Sequence, residues 1–381
     1  MRAVRLTTTM MLALASTAWP AADACAEDAV ELSAEYVADY ISGLAGDPGK
    51  TEEFVDHLSL SASFDLNRLA GWRDTRLFVN VINNSGGAPN DELATLQGVD
   101  NIEVSRQRAR LYELWLETVI GGVNVRGGLY DLNSEFYANE SAGLLIAPAF
   151  GIGSELAATG PNGPSIFPST ALALRLAMPL SPQDQFKIVV LNAEAGVLGD
   201  PNGVDVSLDD GALIVVEWSH DGAVDFNLGG WTYTDEQADI RLPEEARAAG
   251  VYATAERVLW NAAEPRETTA FIRIGLADGD TSPYVGGWQT GILVGRVFAS
   301  RPESQFSFGV YQGRLGDKFR ANLEDDGIGA ADAETGIELT YSDQVTPWLR
   351  LQPDLQLVRN PGGDASRDDL FVGVLRLAIS L

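Results

Sequence analysis

Apolar and polar positions alternate with a period of two along most of this chain. The alternation is clearest from 58 to 66. Leu58, Leu60, Ala62, Phe64 and Leu66 fall on one side, and Ser59, Ser61, Ser63 and Asp65 on the other. Read this way, the chain predicts sixteen strands: 35–42, 58–66, 75–83, 104–118, 122–130, 171–179, 186–194, 211–219, 224–233, 251–260, 268–277, 287–299, 304–313, 334–342, 347–359 and 369–381. The first is the weakest. A tilted membrane strand needs roughly 9–11 residues, so segments of this length can each cross a bilayer.

The connections fall into two kinds. Short ones are 67–74, 180–185, 220–223, 261–267, 300–303 and 343–346. Long ones are 43–57, 84–103, 131–170, 195–210, 234–250, 278–286, 314–333 and 360–368. Short and long alternate, as they do when turns lie on one side of a membrane and loops on the other. A soluble sandwich alternates its strands too, but does not need every second connection to be long.

The faces agree. Leu355 and Leu357 oppose Asp354 and Gln356; Phe371, Leu375, Leu377, Ile379 and Leu381 oppose Arg376. Tyr112, Leu114 and Leu116 are expected on a lipid face, with Glu113, Trp115 and Glu117 on a wet one. Tyr112, Trp260, Tyr341 and Trp348 stand where interfacial girdles are expected. The predicted fold is all-β: a transmembrane antiparallel β-barrel of sixteen strands. The connection 131–170 is too long to be a passive link in a compact domain, and is expected to fold back into the lumen.

Composition changes the picture in three places. The start Met1-Arg2-Ala3-Val4-Arg5, the apolar run 6–20 and Ala24-Cys25-Ala26 predict a signal peptide over 1–26, leaving 27–381 as one barrel domain. Cys25 is the only cysteine, so a processed chain has neither disulfide nor thiolate chemistry. The formal charge of -28 argues against a nucleic-acid partner. Beyond the leader no run of about 18 apolar residues occurs, which excludes a membrane helix but not a barrel.

Five stretches carry a resemblance. They are Asp65-Leu66-Asn67-Arg68-Leu69-Ala70-Gly71-Trp72, Arg110-Leu111-Tyr112-Glu113-Leu114-Trp115-Leu116-Glu117, Gly128-Leu129-Tyr130-Asp131-Leu132-Asn133-Ser134-Glu135-Phe136, the Gly-Pro-Ser-Ile-Phe-Pro run ending at Pro168, and Gln352-Pro353-Asp354-Leu355-Gln356 with Asn360-Pro361-Gly362-Gly363. In this order they resemble the carbohydrate-selective porin family (OprB-like). The resemblance implies a sixteen-stranded barrel in a bacterial outer membrane, through which small sugars diffuse passively while loops narrow the lumen. Many outer-membrane barrels end in Phe; this chain ends Ala378-Ile379-Ser380-Leu381, so Leu381 stands where that aromatic is expected.

A sugar is polar, uncharged and has mildly apolar ring faces, so a selective channel should offer hydroxyl partners and an aromatic surface with weak binding. Arg126 and Arg175 face opposite their apolar neighbours and should enter the lumen, as should Arg273 and Arg376. The constriction is expected from Arg106, Arg126 and Arg175 facing Glu113, Asp131 and Glu135, with Trp115 or Tyr130 as stacking platform. The competing account makes these charges a structural ladder, with Asp131 and Glu135 pinning the loop and Trp115 a filler. Arg106, Arg108 and Arg110 share one parity, and that parity becomes the lipid side at Tyr112. The run should therefore lie above the membrane or contain a bulge, and it is a candidate for lipopolysaccharide phosphates.

Other chemistry is thin. His57 and His220 are the only histidines, both in predicted connections, and no G-x-S-x-G motif occurs. Glu113 and Glu117 lie on one face of one strand, unlike a glycosidase pair. The acidic runs at 200–205 and 278–280 lack an EF-hand pattern. No catalytic residue, metal or cofactor is assigned, and no P-loop couples transport to energy. Expected partners are small carbohydrates, outer-membrane lipid and lipopolysaccharide; a homo-oligomer is open. Two functional alternatives remain: a general, weakly cation-preferring porin, and a plugged barrel with a structural role.

Overall fold

The computed structural model describes residues 29–46, 50–196, 209, 211–261 and 267–380. The expected signal peptide, Cys25, the 200–205 run, the side chain of Trp260 and Leu381 lie outside them. The strands are β1 (Val30–Ala45), β2 (Glu52–Asp65), β3 (Thr75–Gly86), β4 (Ala109–Ile120), β5 (Val123–Tyr130), β6 (Ala171–Pro179), β7 (Asp184–Asn192), β8 (Ala212–His220), β9 (Asp225–Tyr233), β10 (Gln237–Ala238), β11 (Glu245–Ala246), β12 (Ala249–Asn261), β13 (Glu267–Ala277), β14 (Tyr284–Gly295), β15 (Gln305–Leu315), β16 (Ala333–Thr346), β17 (Leu349–Arg359) and β18 (Leu370–Ser380). Among the described residues, four α-helices occur in connections: α1 (Leu66–Ala70), α2 (Pro89–Glu92), α3 (Ser154–Ala157) and α4 (Asp317–Asp325).

Sixteen of these strands close one barrel, and β10 pairs only with β11 as a small external hairpin. Every barrel strand runs antiparallel to its neighbour. β18 returns to β1, with Glu35 opposite Ser380. Closure leaves no sheet edge, which is what lets strands cross a hydrocarbon layer with every backbone group paired. The expected alternation holds. On β18, Phe371, Leu375 and Leu377 are exposed outward, while Val372, Val374 and Arg376 are buried inward.

The turns after β2, β4, β6, β8, β14 and β16 share the end where Val30 and Ser380 lie. Between β4 and β5 the turn is Gly121-Gly122, with φ of 61° and 86°. Two consecutive left-handed residues suit a two-residue hairpin whose twist matches its strands, and glycine adopts them without a Cβ penalty.

Some strand bounds differ from expectation, and so does the face of one residue. The connection placed at 43–57 is short, because β1 runs to Ala45 and β2 starts at Glu52. Glu52, Glu53 and Asp56 are polar enough to read as a loop, but they continue the strands at the rim. The fourth strand begins at Ala109 rather than 104. Tyr112 is buried inside the barrel rather than on the lipid face. The register of β3 and β4 shifts there, with Asn80 opposite Glu113 but Val81 opposite Leu111, so Tyr112 is the extra residue of a bulge and turns inward.

Two long connections fill much of the lumen. Residues 131–170 bring Leu132, Phe136 and Tyr137 against Val189, Leu213, Val215 and Tyr252 on the inner wall. Farther along, Leu145 and Phe150 pack on Phe271 and Tyr311. Residues 87–108 place Leu93, Val99 and Ile102 against Val37, Ile41, Val358 and Leu370. The barrel thus has an apolar interior core built from loop and wall, distinct from the apolar residues exposed on its outer face.

Candidate functional site

The site begins with register. The two-residue turn sets Ile120 opposite Val123, and this places Glu117 opposite Arg126. Extending that row along the wall gives Asp65, Arg76, Glu117, Arg126 and Arg175 as successive cross-strand neighbours on β2 to β6. All five share the inner face, because directly paired residues point to the same side of a sheet.

The last three, with Glu135 from the inward loop, form one ion-paired belt. Glu117 Oε2 accepts from Arg126 Nε at 2.9 Å and Nη2 at 2.6 Å, and from Arg175 Nη2 at 3.0 Å. Glu135 Oε2 accepts from Arg175 Nε at 3.0 Å and from the Tyr130 hydroxyl at 2.5 Å, and lies 3.5 Å from Arg126 Nη1. Arg175 also donates to the Asn124 side chain. Lys187 Nζ donates to the Glu135 carbonyl at 2.7 Å and pairs with Glu217 Oε1 at 2.6 Å. Burial works to raise the Glu135 carboxyl, but the Arg126, Arg175 and Lys187 charges outweigh it and hold Glu135 below the usual carboxylate range. The side chains of Glu117, Glu135 and Arg126 keep 19%, 16% and 15% of their surface exposed, and Arg175 keeps 3%.

Glu113 and Asp131 stand beside this belt and do a different job. Asp131 Oδ1 accepts from the Asn133 amide at 2.9 Å, capping the turn that opens the loop, and Oδ2 accepts from the Tyr112 hydroxyl at 2.7 Å. Glu113 Oε1 accepts from Trp115 Nε1 at 3.1 Å and from the Asp131 amide at 3.4 Å. Burial pushes the Asp131 carboxyl up to about 6, against the lowering effect of its hydroxyl and amide donors. Trp115 is 8% exposed and Tyr130 1%. Phe78 stacks against Trp115 from the β3 side at 5.0 Å, and the Arg126 guanidinium covers it from the β5 side at 4.1 Å.

Of the eight residues expected in the constriction, the structure gathers Glu113, Trp115, Arg126, Tyr130, Asp131, Glu135 and Arg175. Arg106 sits in the connection before β4 with an exposed side chain, and its carbonyl accepts from Arg110. Arg110 is buried and also donates to the Pro168 carbonyl at 3.1 Å, so the three arginines do not share one surface. Glu117, expected with Glu113 to supply opposite charge on the neighbouring strand but not counted in the constriction, lies at the belt's centre. The signal that finds it is the turn, whose register pairs 117 with 126.

On the opposite wall, β12 to β18, several charges hold loop backbone, while Arg376 on β18 pairs with Asp39 of β1 at 2.6 Å. Glu338 Oε1 and Oε2 accept from the amides of Ile146 at 2.5 Å and Ala147 at 2.9 Å. Glu256 Oε2 accepts from the Ser141 amide at 2.8 Å. Arg273 donates to the carbonyls of Gly151 at 2.9 Å and Phe150 at 2.5 Å. Glu334 accepts from the amides of Leu96, Gln97 and Gly362, which fixes the 87–108 loop. The loops also meet each other, through Ser154 and Gln97 at 2.8 Å.

The expected loop histidines belong to strands β2 and β8. His57 bonds Asn84, and His220 pairs with Asp184 at 2.8 Å. Among the described residues no group of three His, Cys, Asp or Glu side chains could hold a metal ion.

Comparisons with known proteins point one way. A family model described as carbohydrate-selective porin, OprB family, matches residues 54–381. Porin B of Pseudomonas aeruginosa is 22% identical over 399 aligned positions, covering 92% of this chain and 87% of that protein. The high-pH structure of Pseudomonas putida OprB superposes with a TM-score of 0.82 at 20% identity, covering 93% of this chain and 94% of that one. Its low-pH structure gives 0.61 at 18% identity, with 93% of each chain covered.

Proposed function

This chain belongs to the carbohydrate-selective porin, OprB family, and we propose that the belt of Glu117, Arg126, Arg175 and Glu135 is the constriction at which its sugars are selected. The protein is an outer-membrane porin through which small sugars diffuse passively.

One observation carries the constriction reading: the belt is paired mainly through side chains and still touches solvent, while Glu256, Arg273, Glu334 and Glu338 on the opposite wall hold loop backbone. Guanidinium donors and carboxylate acceptors side by side match the mixed donors and acceptors of sugar hydroxyls. Charges of both signs orient water without favouring free passage of either ion. A solute bonded here exchanges one set of hydrogen bonds for another, so binding stays weak enough to release. Glu113, Asp131 and Tyr130 act by positioning Glu135 and the loop. Trp115 supports the Arg126 guanidinium, and its covered faces leave it no room to stack a sugar. Arg106 belongs at the outer mouth, where its exposed guanidinium suits lipopolysaccharide phosphate, and the outward Leu, Val and aromatic face meets lipid.

The test is single-channel conductance of the refolded protein in a planar bilayer, with mono- and disaccharides added. Concentration-dependent block is expected. In Arg126→Ala, sugar affinity should fall about tenfold or more, as for one lost hydrogen bond to a charged donor, with the barrel still inserted. Unchanged block in that variant would remove Arg126 from the constriction.

A further inference from the structure

A second row lies next to the belt, one position nearer the outer mouth. Ser63, Phe78, Trp115 and Gly128 are successive cross-strand neighbours on β2 to β5, all on the inner face. Phe78 and Trp115 stand as nearly parallel plates, 5.0 Å between centroids and 25° between planes. That distance is about the spacing of neighbouring strands. On the β5 side no plate follows: Gly128 has no side chain, and the Arg126 guanidinium takes the place over Trp115. On the β2 side the next position holds only Ser63. Phe78 is half-buried and has a small neighbour where a third plate would stand.

We propose that this place beside Phe78, above Ser63, is a second sugar subsite, in which a pyranose ring stands as the next plate of the stack. The proposal rests on the constriction reading above and deepens it. The occupant's chemistry follows from the surroundings. A pyranose has an apolar face of axial C–H groups and a rim of equatorial hydroxyls. Phe78 offers the face. The rim meets Ser61 and Asn80 in the neighbouring row on one side and the exposed Arg76 guanidinium on the other. Asn80 already accepts from the Ser59 hydroxyl at 3.0 Å, which turns its oxygen toward β2 and leaves its amide hydrogens for a solute. These groups place hydrogen-bond donors and acceptors around the edge of one apolar face, which suits a ring sugar. Position also fits transport. A solute leaving the Arg126 guanidinium finds the subsite two strands away, and conduction needs several weak sites rather than one tight one.

Two neutral probes separate the ring from its hydroxyls: glucose, a pyranose, and sorbitol, an open chain with comparable hydroxyls and no ring face. Block of single-channel current by each is measured for the wild-type protein, Phe78→Leu, Phe78→Tyr and Arg76→Ala. Wild type should be blocked more strongly by glucose than by sorbitol. Phe78→Leu should lower glucose affinity about threefold to tenfold and bring the two probes together, because an aromatic contact of this kind is worth that much. Phe78→Tyr should keep the preference, and Arg76→Ala should weaken both probes alike. Heat-modifiable mobility on a gel confirms that each variant is a folded barrel. A glucose preference unchanged in Phe78→Leu overturns the subsite and leaves the belt standing. A wild-type channel indifferent to both probes overturns the constriction and the subsite together.

Discussion

The two halves of the lumen wall carry similar side chains and use them differently. On β4 to β6, acids and arginines pair with one another and keep part of their surface wet. On β12 to β18, Glu256, Arg273, Glu334 and Glu338 reach to loop amides and carbonyls instead, and Arg273, Glu334 and Glu338 are fully buried. The difference is what each charge faces. A loop crossing the lumen brings backbone groups that no water can satisfy, and an unpaired buried group costs roughly 1–3 kcal/mol. A wall carboxylate that accepts two amides removes that cost. Where the loop leaves the wall uncovered, charges balance each other and remain available to a solute.

The largest effect should come from breaking the loop's anchor. In Glu338→Ala the amides of Ile146 and Ala147 lose both acceptors, at about 3 kcal/mol or more from hydrogen bonds to a charged group. Open-channel conductance should rise, sugar block should weaken at least about tenfold, and thermal unfolding should fall by several degrees. Conductance and block like those of the wild type would show that the loop needs no such anchor. A smaller and opposite effect belongs to the belt. Glu117→Gln removes the charge shared by Arg126 and Arg175 and leaves the belt more positive. Reversal potentials in a salt gradient should shift toward anion preference, with little change in single-channel conductance. A shift toward cations would reverse the assigned polarity.

Much of this was legible in the sequence, and the unread part has definite causes. Sixteen strands and their inward faces follow from parity, so Arg126, Arg175, Arg273 and Arg376 are placed correctly from the chain alone. A bulge defeats parity at Tyr112, because one extra residue changes the face of everything beyond it. The belt required register, which parity does not carry; only the Gly121-Gly122 turn fixed which acid meets which arginine. The role of 131–170 was readable from its length. That of 87–108 was not, since Leu93, Val99 and Ile102 look like ordinary loop residues until a wall is there to receive them. Trp115 and Tyr130 were visible as lumen aromatics. Whether an aromatic ring has a free face depends on its lateral neighbours, so parity alone does not single out the half-buried Phe78.

Acid should separate the belt from the loop's hinge. Glu135 is held below its ordinary range, so its contribution to stability is present above the unfolded value and is lost only as pH falls through the still lower folded one. The belt should therefore keep its ion pairs, and glucose block should not change, between pH 7 and pH 5. Asp131 behaves in the opposite sense. Its folded value of about 6 lies above the ordinary aspartate value of 3.8, so burial of its charge penalises the fold above pH 6. That penalty is relieved as pH falls toward the unfolded value, by at most about 3 kcal/mol for a displacement of about two units. Thermal unfolding in detergent should then move upward between pH 7 and pH 5, and in Asp131→Asn that rise should flatten while the sugar block stays as it was. Block that weakens in step with the wild-type transition near pH 6 would mean that the hinge and the belt are one unit. The division between anchoring charges and solute-facing charges would then fail on the very side of the lumen where it was drawn.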